Sequence, residues 1–307
     1  MPLSSPDPGP PFGPPPPGRA GASLVELLTA AALSLVVMGA VASLFSVFAR
    51  SVSEGQATVE LHARMRNAAW RLRQDLVGLT CVPVARVRVE ANSGYFQVIE
   101  GPRATSALPS DLIGDIDDVL ALTTSSPASP FAGRLAGARG VESPMAEVVW
   151  FCEPSGLVHK GQSLYNLHRR QLLVAATPDA GSFAADVFAA RGDSDLSYSA
   201  DTSTPEGPHA NSLGDLSKQA NRFLTVNGAN RKLTGAREGE DVILGNVIAF
   251  DVRISDGATP ADVSFETREN GGSTAAPRQG VEIRIRCVDP VTDRVRELKV
   301  VHSFGAN

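Results

Sequence analysis

The chain has 307 residues, 43% of them apolar, with a formal net charge of −5, a pI near 5.6 and three cysteines. An acidic balance, with no aromatic residues interleaved among the basic ones, argues against nucleic-acid binding. Cys81, Cys152 and Cys287 are widely spaced and odd in number, which argues against a disulfide framework and leaves at least one free thiol.

Residues 1–21 hold nine prolines and one basic residue, Arg19, so this segment is extended and packs no core. An uncharged run of 23 residues follows, Leu27 to Ala49, closed by Arg50. As a helix it spans about 35 Å, against a hydrocarbon core of about 30 Å. Arg19 on the short side favours a cytoplasmic N-terminus. A secretory signal cut after Val47-Phe48-Ala49 is too short an alternative, since such apolar regions run about 7–15 residues. A plain signal anchor explains the span but not Glu26, the lone acid at its mouth. An ionisable group there is a functional hypothesis with a partner to be named.

The helix continues past the apolar run. Leu61, Met65, Ala69, Leu72, Leu76 and Leu79 recur in steps of four and three, one amphipathic stripe. Glu60/Arg64 and Arg71/Asp75 stand at i,i+4 and read as exposed pairs. Residues 23–79 therefore read as one helix of about 85 Å. Arg64, Arg66, Arg71 and Arg73 read as a solvated face.

Beyond Pro83 the period changes to that of strands: Arg86–Val89, Tyr95–Ile99, Asp118–Thr123, Glu147–Cys152, Leu164–Ala175 and Val242–Ile254, the last with a kink at Gly245. A hairpin closes the chain, Val281–Arg286 and Val295–Val301 about a turn at 289–293, with Val281, Ile283 and Ile285 on one face. Residues 125–146 and 176–240 read as interruptions, the second a surface excursion with short helices at Ser182–Ala190 and Leu213–Phe223. The fold class is α+β, a long N-terminal helix on an antiparallel sheet, and about 228 residues after the helix suffice for one core. The expected organisation is 1–21, 22–50, 51–80 and 81–307.

The five histidines show no metal-ligand spacing. No nucleophile elbow or phosphate loop occurs, and no enzyme activity is expected. Cys152 and Cys287 both fall on strands and are the pair to consider for a bridge, with buried free thiols the favoured state.

Gly21-Ala22-Ser23-Leu24-Val25-Glu26-Leu27-Leu28 resembles the prepilin cleavage and methylation motif of type IV pilins and type II secretion pseudopilins. Trp70-Arg71-Leu72-Arg73-Gln74-Asp75-Leu76 and the size of the sheet domain are similar to the J-type minor pseudopilins, and Gly114–Leu122 and Glu147–Cys152 are similar to large pseudopilin-like proteins. The resemblance implies a pilin-like fold, with residues 1–21 as a leader removed by a prepilin peptidase between Gly21 and Ala22. It implies methylation of Ala22, where the family usually carries Phe or Met. Assembly into a filament would run through Leu24, Val25, Glu26 and Leu27, with Glu26 pairing the terminal amine of a neighbouring subunit. An amine and a carboxylate in apolar surroundings are costly alone and tolerable together. The implied partners are other pilins or pseudopilins, the peptidase and inner-membrane lipid. The implied location is the bacterial inner membrane, single-pass, with residues 81–307 periplasmic. The competing reading is a membrane-anchored binding or adhesion module that uses the helix as a tether. No cofactor is expected; Asp115, Asp117 and Asp118 form an oxygen-rich cluster of the sort calcium prefers, as some pseudopilins bind it, but without the downstream ligands of a known loop.

Overall fold

The computed structural model describes residues 21, 23–86, 88, 91–101, 114–135, 139–175, 195–199, 209–226, 242–257, 259–268 and 277–305. It divides into two units, Met1–Ser53 and Glu54–Asn307. Helix α1 covers Leu24–Val77, within two residues of the expected bounds. Its composition is compatible with this: there is no proline, and Ala and Leu are the commonest residues.

In the first unit the described residues are almost entirely α1, with every side chain from Leu24 to Ser51 exposed. This part holds an 18-residue window of mean hydropathy 2.2 with none of it buried, enough in length and composition to cross a membrane.

In the second unit, α1 buries Met65, Ala68, Ala69, Leu72 and Leu76, with Leu61 and Leu79 partly buried beside them. The expected stripe is thus the buried one. Glu60 pairs with Arg64 as expected. Arg71 and Asp75 do not pair. The guanidinium of Arg71 lies 5.7 Å from the Trp70 ring centroid, while Asp75 turns inward and is almost fully buried. There it accepts from Trp150 Nε1 at 2.8 Å and from Arg169 Nε and Nη2 at 2.8 and 2.7 Å. The i,i+4 rule fails here because a bidentate partner on the sheet outcompetes an exposed neighbour.

The strands are β1 Phe96–Ile99, β2 Val119–Ser125, β3 Phe131–Leu135, β4 Arg139–Ser143, β5 Met145–His159, β6 Gln162–Leu173, β7 Val242–Ser255, β8 Phe265–Glu266, β9 Gly280–Val288 and β10 Val295–Ser303. Eight form one sheet in the order β10-β9-β7-β6-β5-β2-β1-β8, and β3 pairs with β4. All the strand ladders are antiparallel, so the α+β expectation holds. The β3–β4 ribbon occupies a stretch expected to interrupt the sheet. Its alternation is masked by glycine and serine, which carry little β signal. Of the expected strand at 86–89, Val87 and Val89 lie outside the described residues, and Arg86 forms a single bridge with Arg268. The kink in β7 falls beside Gly245, where the pairing register with β6 shifts and Asn246 takes a φ of 56°.

One face of the sheet meets α1 through Phe96, Leu122, Trp150, Leu167, Phe250, Ile283, Ile285 and Val300. The other carries a second core of Tyr95, Val119, Ala121, Val149, Phe151 and Leu172, covered by Leu213, Leu216 and Phe223. These come from α2 (Leu213–Ser217) and α3 (Phe223–Val226), with a 3-10 turn at Gln219–Asn221 between them. The single helix expected at Leu213–Phe223 is therefore broken. Its start is a capping box in which the Ser212 side chain accepts from Asp215 N. The helix expected at Ser182–Ala190 lies outside the described residues.

What holds this sparsely apolar segment on the sheet is polar. Glu147, fully buried on β5, accepts from Tyr95 Oη at 2.7 Å, Ser197 Oγ at 2.6 Å and Phe223 N at 2.9 Å. Burial raises its carboxyl, opposed by those hydrogen bonds and by Arg222. The buried Arg222 donates to Leu216 O and to Thr267 O, and its guanidinium lies 4.2 Å from the Tyr95 ring centroid. Asn211 Nδ2 donates to Ser197 Oγ at 3.0 Å and to Asn221 O at 2.9 Å. Buried polar groups need such partners, and here the partners come from segments between Tyr95 and Thr267.

Candidate functional site

The residues singled out from the sequence sit at the start of α1. Gly21 and Ser23 are described; Ala22 lies outside the described residues. Among the described residues, a side chain added at Gly21 would meet nothing within 4 Å. Leu24, Val25 and Leu27 are all exposed. Glu26 Oε2 accepts from Ser23 N at 3.0 Å, and Ser23 Oγ accepts from Glu26 N at 3.2 Å. This is a capping box, two open donors of the first turn satisfied reciprocally. Its Ser-x-x-Glu spacing is legible in the sequence. Glu26 therefore has local work to do within its own chain.

Farther along α1, in the second unit, a second apolar line faces away from the sheet. Val59, Trp70 and Val77 are 67%, 54% and 70% exposed, and Ala63 is exposed between them. At about 100° per residue these four lie opposite the buried stripe. Isolated surface apolar residues are ordinary, whereas these four fall on one line of the helix. Arg66 and Arg73 border it, so the four arginines do not form one cationic patch.

The acidic cluster assembles with a different membership from the expected one. Glu100, Asp115 and Asp118 bring carboxylate oxygens within 4.8 Å of one another; Asp117 is not among them. Asp118 is fully buried. Its Oδ2 accepts from Val252 N at 2.7 Å and its Oδ1 from Gly101 N at 3.4 Å. Phe250 N donates to Asp115 O at 2.6 Å. The loop thus supplies acceptors to β7 beyond its last registered pair with β6. Burial pushes the Asp118 carboxyl up to about 8, opposed by the Val252 amide and reinforced by the charges of Asp115 and Glu100.

That shift has a measurable consequence. The ordinary aspartate value is 3.8, and the folded chain favours the neutral acid. Its stabilising contribution is fully present below the ordinary value and is lost as pH rises through about 8. Asp118→Asn is expected to flatten this decline, read as the difference in unfolding midpoint between about pH 5 and about pH 9. A slope unchanged in the variant would contradict the assignment.

Cys81, Cys152 and Cys287 are buried and free. Burial pushes Cys81 and Cys287 up to about 12, and it also raises Cys152, with contributions from Cys287 and Asp118. Such thiols are unreactive. A Cys152–Cys287 bridge is ruled out by topology. Cys152 is on β5 and Cys287 on β9, with β6 and β7 between them. Three strand spacings amount to about 14 Å, beyond the Cα separation of about 4.4–6.8 Å that a disulfide spans.

No family model, curated protein or solved structure matches this chain.

Proposed function

We propose that the chain is a minor pseudopilin or minor pilin subunit, most similar to the J-type, that assembles into a periplasmic filament through its N-terminal helix. In this reading a prepilin peptidase cuts between Gly21 and Ala22, and Ala22 becomes the methylated N-terminus. Leu24, Val25, Glu26 and Leu27 form the first assembly contacts. The chain sits in the bacterial inner membrane with its N-terminus cytoplasmic, and the sheet domain is periplasmic. Its partners are other pilin-type subunits, the peptidase and membrane lipid, and its role is not catalytic. The observation that carries the reading is α1 itself. A lone carboxylate stands at the mouth of an exposed, uncharged, membrane-length segment, and the same helix then buries one face on an antiparallel sheet. The outward line of Val59, Ala63, Trp70 and Val77 adds a surface for neighbouring helices.

The Ser23–Glu26 capping box favours the second reading, an anchored binding or adhesion module whose helix is a tether, because it accounts for Glu26 without a partner. Two measurements separate them. Co-expressed with a prepilin peptidase, the chain is expected to lose 21 residues and begin at Ala22, read by mass spectrometry. An uncut chain, or one cut after Ala49, sinks the proposal. Glu26→Ala is expected to insert normally and fail to enter filaments, whereas Ser23→Ala removes the cap, keeps the carboxylate and still assembles. Equal loss in both variants would leave Glu26 as a helix cap alone.

A further inference from the structure

Strand β10 is the long edge of the eight-stranded sheet; among the described residues nothing pairs with its outer side. Its register with β9 runs from Val295↔Val288 to Ser303↔Gly280. Asp289 N donates to Arg294 O, and Phe304 N donates to Gln279 O. These bonds extend the ladder at both ends and show that the even-numbered residues bond inward to β9. The amides and carbonyls of Val295, Glu297, Lys299, Val301 and Ser303 therefore point outward. Unpaired edges of this kind template pairing with another strand.

We propose that β10 pairs antiparallel with β10 of a second copy of this chain, about a twofold axis at Leu298. The side chains select this partner and this register. With Leu298 opposite Leu298, each Glu297 faces the other copy's Lys299, and each Val295 faces the other copy's Val301. Both charges are available: the Glu297 side chain is 41% exposed and that of Lys299 is 48% exposed. Within one chain Glu297 already accepts from Arg286 Nε at 2.6 Å, and Lys299 Nζ lies 2.8 Å from Glu282 Oε2. Pairing joins these into a line of alternating sign, Arg286–Glu297 of one copy to Lys299–Glu282 of the other. Sliding the two strands so that the axis moves by one residue sets Glu297 against Glu297 or Lys299 against Lys299. Like charges directly opposite are destabilising. Val301, 60% exposed on a strand otherwise well covered by charge, meets Val295, which already packs with Leu164, Ile248 and Val288. Lysine on an edge strand normally discourages pairing; here it has a carboxylate waiting at one register only.

The test uses the full chain in detergent micelles and single cysteines. Leu298 faces its own copy across a non-hydrogen-bonded pair, where the Cα atoms of antiparallel strands approach to about 4.5 Å, close enough for a disulfide. Leu298→Cys is expected to give a covalent dimer on mild oxidation, seen on a non-reducing gel. The buried native thiols supply the background, measured in the unsubstituted chain. Arg296→Cys stands opposite Val300 and is expected to give none above that background. Adding Lys299→Pro to Leu298→Cys removes an outward amide without touching the β9 ladder, which proline tolerates on an edge, and is expected to abolish the dimer. Cross-linking of Arg296→Cys equal to that of Leu298→Cys, or no dimer from a Leu298→Cys chain with an unchanged circular-dichroism spectrum, overturns the proposal.

Discussion

Replacing Asp75 with alanine is expected to cost about 3–5 kcal/mol, the range for removing one partner of a buried ion pair. Asp75 and Arg169 are both buried, and their bidentate contact ties α1 to the sheet. The alanine variant leaves the Arg169 guanidinium without its carboxylate and the Trp150 indole without its acceptor. The penalty is mostly that of an uncompensated buried charge, so Asp75→Asn, which keeps one acceptor but no charge, should also be strongly destabilised. By contrast, the combined change to Asp75→Leu, Arg169→Met and Trp150→Phe is expected to recover much of the loss, because apolar packing replaces the whole set. Denaturant midpoints of the full chain in micelles give the comparison. A loss below about 1 kcal/mol for Asp75→Ala would mean the pair behaves as an exposed one.

Glu147→Ala is expected to free the segment 209–226 from the sheet. The change orphans three buried donors, Tyr95 Oη, Ser197 Oγ and Phe223 N, at about 1–3 kcal/mol each. The apolar cover available to offset this is small: Leu213, Leu216 and Phe223 are its buried aliphatic and aromatic members. The expected readout is amide exchange at residues 211–225 rising far more than at β5 to β9. Uniform exchange across the sheet would show instead that Glu147 supports the whole core. Glu147→Gln keeps acceptors for part of the set and should fall between the two.

The elements legible in the sequence were those whose side chains report their surroundings by period. The stripe from Leu61 to Leu79 placed α1 on the sheet, and alternation at Val281, Ile283 and Ile285 placed the last hairpin, because apolar burial repeats with backbone geometry. Polar burial has no period. Asp75 looked like half of a surface pair with Arg71, since its partners Trp150 and Arg169 are 75 and 94 positions away. Glu147 looked like the first residue of a strand, although a carboxylate beside Val148-Val149-Trp150-Phe151 was a signal in itself. At the start of α1, the Ser23-x-x-Glu26 spacing is itself a local explanation for Glu26. Glu100 entered the acidic cluster because β1 delivers it there, which no spacing among 115–118 reveals.

The two margins of the sheet are unequal: β8 offers Phe265–Glu266, and β10 offers Val295–Ser303. A strand of two residues gives an incoming chain almost nothing to bond, so growth of the sheet is one-sided. Any copy that joins through β10 uses up the long margin of both molecules and leaves a stub at each far end. A twofold contact of this kind closes on itself. Association through the sheet edge therefore stops at two copies, whatever assembly runs through the N-terminal helix.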